Sequence, residues 1–336
     1  MKKNILIINT GGTISSIITK NGYEPAQGYV EQALKNIESL KHRDMPHYHI
    51  LEYDPLLDSS NMTVHDWNRI ANDIHSHHDQ YDGFVVLHGT DTLAYTASAL
   101  SFMLEQLGKP VIVTGSQIPL SEVRNDAIDN IITSLWLCQH ETIHEVCVLF
   151  GQQLLRGNRA QKTSAQRFNA FESPNFPPLA KIGININLNK TSLMQSPSKP
   201  LQLQDIEPHF IANLRLFPGL SSKVVEFILS QPIKGLILET YGAGNAPNND
   251  AHFLKLLDDA TNRGIIIVNC SQCPHGKVSM DDYATGNSLK QAGLISGKDM
   301  TPEAAHCKLL YLLSKLKTTE QVKTQMEKNL CGELTE

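Results

Sequence analysis

No run of lysine and arginine and no basic patch stands out in this sequence, so a nucleic acid is not an expected partner. The chain has 29 Lys+Arg against 34 Asp+Glu, a formal net charge of -5, and the acids are spread out with no acidic tail. No apolar stretch approaches the length that would cross a bilayer, so no membrane partner is expected. The two lysines ahead of Asn4-Ile5-Leu6-Ile7-Ile8-Asn9 imitate the start of a signal peptide. The apolar run is too short for an export signal, no small-residue cleavage site follows, and Gly11-Gly12-Thr13 breaks it at once. We read it as a buried first strand and expect the chain to stay in the cytoplasm.

Cysteine is also sparse, at six residues, and only Cys270-Ser271-Gln272-Cys273 has suggestive spacing. A zinc or redox reading needs a second pair or a thioredoxin-like context, and the sequence shows neither. Free thiols at a strand end are the expectation. His75, His77 and His78 fall near the end of a polar helix, on a solvated face, and no HExxH-type pair supports a metal enzyme. No metal or organic cofactor is expected. Repeats and extended low-complexity segments are absent.

What is present is an alternation of short apolar runs with helical patterns over 336 residues, which is the signature of an α/β fold in two domains. The clearest strands are Asn4–Asn9, Gly83–Leu87, Val111–Thr114, Val146–Phe150, Gly235–Glu239 and Gly264–Asn269. Each is continuously apolar, as expected of parallel strands covered by helices on both faces. Leu93, Ala97, Leu100, Leu104 and Leu107 form one stripe of a helix over Thr92–Leu107, stopped by Gly108 and Pro110. Thr63 with Asp66 resembles a capping box, and Thr301-Pro302 reads as an N-cap with proline at the first helical position. The Pro- and Ser-bearing stretch after Asn187 has no consistent period and is read as a linker at 189–209. It separates an N-terminal catalytic domain, 1–188, from a C-terminal domain, 210–336.

Three strands end alike, in Thr10-Gly11-Gly12-Thr13, His88-Gly89-Thr90-Asp91 and Thr114-Gly115-Ser116-Gln117. If the strands are parallel, all three turns lie at the carboxyl edge of the sheet, where open α/β sheets place ligands. Glycines let the backbone approach a ligand, and free N–H groups can bind an anion or a developing oxyanion. The turns are rich in hydroxyls, which become nucleophiles when a base or cation assists them. Candidate assistants are Asp91, Lys162 and Tyr23. The turns match neither GxGxxG nor the lysine-bearing phosphate loop.

Asn9-Thr10-Gly11-Gly12-Thr13-Ile14 resembles the first signature of the bacterial-type L-asparaginase family, and Leu87-His88-Gly89-Thr90-Asp91-Thr92 its second. Thr114-Gly115-Ser116-Gln117, Gly157-Asn158-Arg159 followed by Lys162, and Tyr241-Gly242-Ala243-Gly244-Asn245-Ala246-Pro247 are similar to further family segments in the same order. The stretch from Glu52 to Ser60 resembles the cytoplasmic type I branch. The resemblance covers nearly the whole chain. It implies hydrolysis of L-asparagine to L-aspartate and ammonia without a cofactor.

The same resemblance implies roles residue by residue. Thr13 matches the nucleophile that attacks the side-chain amide. Tyr23 matches a tyrosine of a lid, read here as residues 15–28, that helps activate Thr13. Thr90, Asp91 and Lys162 match the second catalytic group, in which Lys162 favours an alkoxide-like Thr90. Asp58, Ser59 and Ser60 match the substrate-binding segment, with Ser59 at the α-carboxylate and Asp91 also at the α-ammonium. Gly12, Gly89, Thr90 and Ser116 would line the reacting amide. Asp58 read alone is equally a helix-preceding cap. Asn245 matches a residue that reaches into a neighbouring subunit's site, which implies a homo-oligomer, expected to be a tetramer built as a dimer of dimers.

The rival readings are a glutamine-preferring amidohydrolase, the amidase subunit of a tRNA-dependent amidotransferase, and a non-catalytic amino-acid sensor. The amidotransferase subunit carries an extra domain before its GGTI-like motif, whereas this motif begins after nine residues. A sensor needs no activated hydroxyl. One position departs from the type I pattern: Glu239 stands where an arginine takes part in binding a second, effector asparagine. A carboxylate offers only acceptors to an effector's carboxylate, and no other partner is near in sequence. The effector site is therefore expected to be lost or weak.

Overall fold

A computed structural model describes residues 2–280 and 284–336. The chain forms two compact units, Met1–Gln204 and Asp205–Glu336. The first is built on an eight-stranded sheet in the order Ile186–Leu188, Ala180–Ile182, Gln153–Arg156, Val146–Phe150, Val111–Thr114, Gly83–Leu87, Asn4–Gly11, His47–Leu57. The five strands from Val146–Phe150 to His47–Leu57 are parallel, and the remaining ones pair antiparallel. From the first strand the chain crosses to His47–Leu57 on one side, then to Gly83–Leu87 on the other. The direction of winding thus reverses between the first strand and Gly83–Leu87, and their carboxyl ends flank the crevice such a reversal opens.

Both faces of the sheet are apolar because both are covered. Ile5, Ile7, Val85, Leu87 and Ile112 pack with Val30, Leu34, Ile131 and Leu135 in one core. The alternate residues Leu6, Ile8, Phe84, Val86 and Val113 are buried as well. Helix Val64–His77 begins with the capping box, the Asp66 carboxylate accepting the Thr63 N–H over 2.8 Å. It packs on helix Leu93–Met103, which is buried nearly all round.

That second helix stops at Met103, a turn short of the Leu107 expected from its apolar stripe. Leu104–Glu105 instead pairs antiparallel with Gln202–Leu203, and Gln106 takes a left-handed φ of 60°. A short strand thus lies inside the stretch read as a linker. Two of the three histidines near the end of helix Val64–His77 are tied to backbone: His77 Nδ1 meets Asp73 O at 2.8 Å, and His78 Nε2 meets Leu107 O at 2.8 Å.

The second unit holds a parallel four-stranded sheet, Ile211–Arg215, Gly235–Thr240, Ile266–Ser271 and Ile295–Ser296. Its third strand begins two residues later than its apolar run, because Gly264, at φ 92°, ends the preceding helix Ala251–Asn262. Leu236, Leu238 and Ile267 pack against Val225, Phe253, Leu257 and Leu289. Cys270 is buried and Cys273 exposed, both as free thiols. Lys308 and Glu333, both with fully buried side chains, pair at 2.5 Å. Lys308 also donates to Met326 O (2.8 Å), and Glu333 accepts the Cys331 N–H (2.8 Å), so the last residues are fastened to helix Pro302–Lys315. A buried pair of this kind is costly to break from one side only.

Candidate active site

Four strand-end turns meet at the carboxyl edge of the large sheet, in contacts close enough to need glycine at Gly12, Gly89 and Gly115. A Cβ added to Gly12 (φ 83°) would lie 2.3 Å from the Gly89 Cα, and one added to Gly89 would lie 2.4 Å from Ser59 Oγ. Only glycine allows this approach, which explains why three of the four turns carry one. Gly12 N–H donates to Leu57 O over 3.0 Å, joining the first turn to the segment that leads into Asp58. Thr13 opens a one-turn 3-10 helix, Thr13–Ser15, and remains partly accessible between buried neighbours.

Thr90 is buried, and Lys162 Nζ donates to its Oγ1 over 2.8 Å and to Asp91 Oδ1 over 2.7 Å. The three residues that the sequence groups together thus form one contact set. Lys162 is presented by the two-residue strand Gln161–Lys162, paired with Phe171–Glu172. Gly157–Arg159 precedes it as a 3-10 turn packed on helix Leu93–Met103, whose N-cap, Thr92, follows Asp91 directly. The helix that carries Thr90 at its start therefore also seats the segment that delivers Lys162.

The substrate-segment residues behave differently from one another. Ser59 is buried and its carbonyl accepts from Thr92 Oγ1 over 2.7 Å. Asp58 is exposed and its carboxylate accepts the Ser60 N–H over 3.0 Å, capping the 3-10 turn Ser59–Asn61. Ser116 is fully buried and its hydroxyl has no hydrogen-bond partner among the described residues. Its turn is rigid, since the Asp126 carboxylate accepts the N–H groups of Gln117 and Ile118 at 3.0 Å each. A buried hydroxyl without a partner is costly.

Tyr23 lies on a hairpin, Ser16–Thr19 with Gly22–Pro25, where the sequence indicates only a polar lid. Its side chain is half exposed, and its hydroxyl donates to Glu122 Oε1 over 2.9 Å, which raises its pKa. Asn245 belongs to the second unit, where its backbone closes a tight turn with Tyr241. Glu239 lies beside Arg215 of the neighbouring strand, 3.4 Å away. A cation absent from the local sequence is therefore supplied by strand pairing.

One buried polar group beneath the site was not separable in the sequence. His88 is fully buried under the second turn, with Nδ1 at 2.7 Å from Gly89 O and Nε2 at 2.8 Å from Thr96 Oγ1, and Thr96 accepts from Trp67 Nε1 over 3.0 Å. A carbonyl partner on Nδ1 requires the proton there, so Nε2 accepts from Thr96. Burial pushes the imidazole pKa down to about 4, which keeps it neutral as this pattern demands. The signal was the histidine in His88-Gly89-Thr90-Asp91, but Thr96 and Trp67, which continue its hydrogen-bond chain, lie on two helices that the motif does not name.

Known proteins carry the same architecture. The family model "Asparaginase, N-terminal" matches residues 4–194, and "Glutaminase/Asparaginase C-terminal domain" matches residues 211–326. "L-asparaginase 1" of Escherichia coli (strain K12) is 50% identical over 334 residues, 99% of this chain and 98% of that one. The crystal structure of L-asparaginase I from Vibrio cholerae superposes with a TM-score of 0.93 at 47% identity, covering 100% of both chains. The thermostable L-asparaginase from Thermococcus kodakarensis does so with a TM-score of 0.90 at 31% identity, covering 99% of each chain. With the family models spanning both units and the match to a solved relative running end to end, this chain belongs to the asparaginase family.

Proposed function

We propose that the chain hydrolyses L-asparagine to L-aspartate and ammonia, with Thr13 as nucleophile. The observation that carries this reading is the Lys162 ammonium joined to both Thr90 and Asp91, next to the turn that presents Thr13. The Thr13 oxygen attacks the side-chain amide carbon, and backbone N–H groups of the glycine turns receive the developing oxyanion. The hydroxyl proton passes to the departing nitrogen, which leaves as ammonia. Water then cleaves the ester and frees Thr13 and aspartate. Lys162 stabilises negative charge on Thr90 Oγ1, Ser59 holds the α-carboxylate, Asp91 takes the α-ammonium, and Ser116 faces the amide. Tyr23 sits on the lid that closes over Thr13.

The active form is a homo-oligomer, a tetramer, in the cytoplasm, with Asn245 completing a neighbour's site. Exposed apolar residues support association: Phe217, 55% exposed, precedes helix Ser222–Ser230 and Phe227, 68% exposed, lies on it. No helix among the described residues is long and apolar enough to cross a membrane.

Purified protein is expected to release ammonia from L-asparagine faster than from L-glutamine, by roughly the 10–200-fold that one methylene is worth. The rate should rise hyperbolically with asparagine, because Glu239, standing where the effector-binding arginine is expected, offers no donor to a second carboxylate. Equal or faster turnover of glutamine refutes the substrate, and a sigmoidal curve refutes the loss of the effector site.

A further inference from the structure

Glu52 opens the type I-like segment, yet none of the roles assigned above uses it. It lies on strand His47–Leu57 directly across from Asn9 on the first strand. Its Oε2 accepts from Asn9 Nδ2 over 2.8 Å, and its Oε1 accepts the Gly28 N–H over 2.6 Å. Each of those partners leads somewhere. Asn9 is fully buried, and its own Oδ1 accepts from Gly11 N (3.2 Å) and Ser15 Oγ (2.8 Å), pinning the chain on both sides of Gly12-Thr13. Gly28 stands where the Tyr23 hairpin returns to the body of the unit. The same return is held by Ala26 N–H on Ser15 O (2.9 Å) and by Gln27 Nε2 on Tyr53 O (2.9 Å).

The anchor beneath is rigid. Tyr53 is buried, donates from its hydroxyl to Asp73 over 2.6 Å, and carries the Arg69 guanidinium over its ring at 3.6 Å. We propose that Glu52 is a positioning residue whose two carboxylate oxygens fix the hinge of the Tyr23 hairpin and the turn of Thr13 in one geometry, so that lid placement and nucleophile orientation are coupled. Both partners are N–H donors, and only a carboxylate offers an acceptor to each. The inference rests on reading Thr13 as the nucleophile.

Glu52→Gln keeps the shape but replaces one acceptor oxygen with a donor. It should stay folded while kcat for L-asparagine falls roughly 10- to 100-fold, the worth of one charge-assisted hydrogen bond. Limited trypsin cleavage after Lys20, in the exposed hairpin turn, should accelerate by roughly tenfold for the same reason. Glu52→Asp retains both acceptors on a shorter stem and should recover part of each effect. The proposal is overturned by wild-type kcat and cleavage in folded Glu52→Gln, by activity that falls only in step with the folded fraction, or by a Glu52→Asp variant no better than Glu52→Gln. If the unaltered protein releases no ammonia from L-asparagine, the functional reading has failed instead. The trypsin measurement then decides the hinge role of Glu52 alone.

Discussion

Thr13→Ala is expected to lower turnover of L-asparagine by about 10⁴-fold or more while leaving the fold in place, since losing a nucleophile removes the covalent route altogether. The fold should survive because Thr13 is partly accessible and begins a single 3-10 turn, so its methyl and hydroxyl add little to the core. The backbone that positions it does not depend on its side chain. Gly11 and Ser15 are fixed by Asn9, and Gly12 by Leu57 O. The measurement is a steady-state ammonia assay beside a thermal unfolding curve. Residual turnover of several per cent in folded protein removes Thr13 from the nucleophile role, and loss of folding makes it a structural residue.

Lys162→Met should lower kcat by roughly 10²–10³-fold with KM nearly unchanged, the range seen when one pre-aimed donor to developing charge is removed. Methionine keeps the length of the stem and removes the ammonium. Thr90 Oγ1 then loses its donor at 2.8 Å and Asp91 its partner at 2.7 Å. Thr90 is buried, so water replaces the lost donor poorly, whereas Asp91 is largely exposed and is rehydrated. The loss therefore falls on the reacting group. A raised KM with normal kcat would assign Lys162 to substrate binding.

The sequence made the large sheet legible because its strands are buried on both faces and read as unbroken apolar runs. Gly83–Leu87, Val111–Thr114 and Val146–Phe150 have in the structure the limits read from composition. The hydroxyl-bearing turns were legible for a related reason: glycine is obligatory where backbones touch at Gly12 and Gly89, and such residues stand out. The grouping of Thr90, Asp91 and Lys162 came from family resemblance, and the geometry joins them through Lys162 Nζ.

Pairings across long separations in the chain were not legible. Tyr23 meets Glu122, Thr96 links His88 to Trp67, and Lys308 meets Glu333, and no period or local motif links the members of these sets. Helix Leu93–Met103 ends early because a distant strand captures Leu104–Glu105. A stripe of leucines describes which face is buried and cannot say whether the last of them are buried as helix or as strand. Asp58 shows the same limit from the other side: its place as a cap follows from spacing alone, while any contact with substrate depends on what enters the crevice.

Whether the four turns form one pocket for the side-chain amide of asparagine is decided by a crystal structure with the product L-aspartate. Aspartate is expected with its side-chain carboxyl between Thr13 and Thr90, its α-carboxylate at Ser59, and the buried Ser116 hydroxyl newly hydrogen-bonded. Aspartate bound in the reverse sense, or seated away from Thr13 and Thr90 with Ser116 still unpartnered, would contradict it.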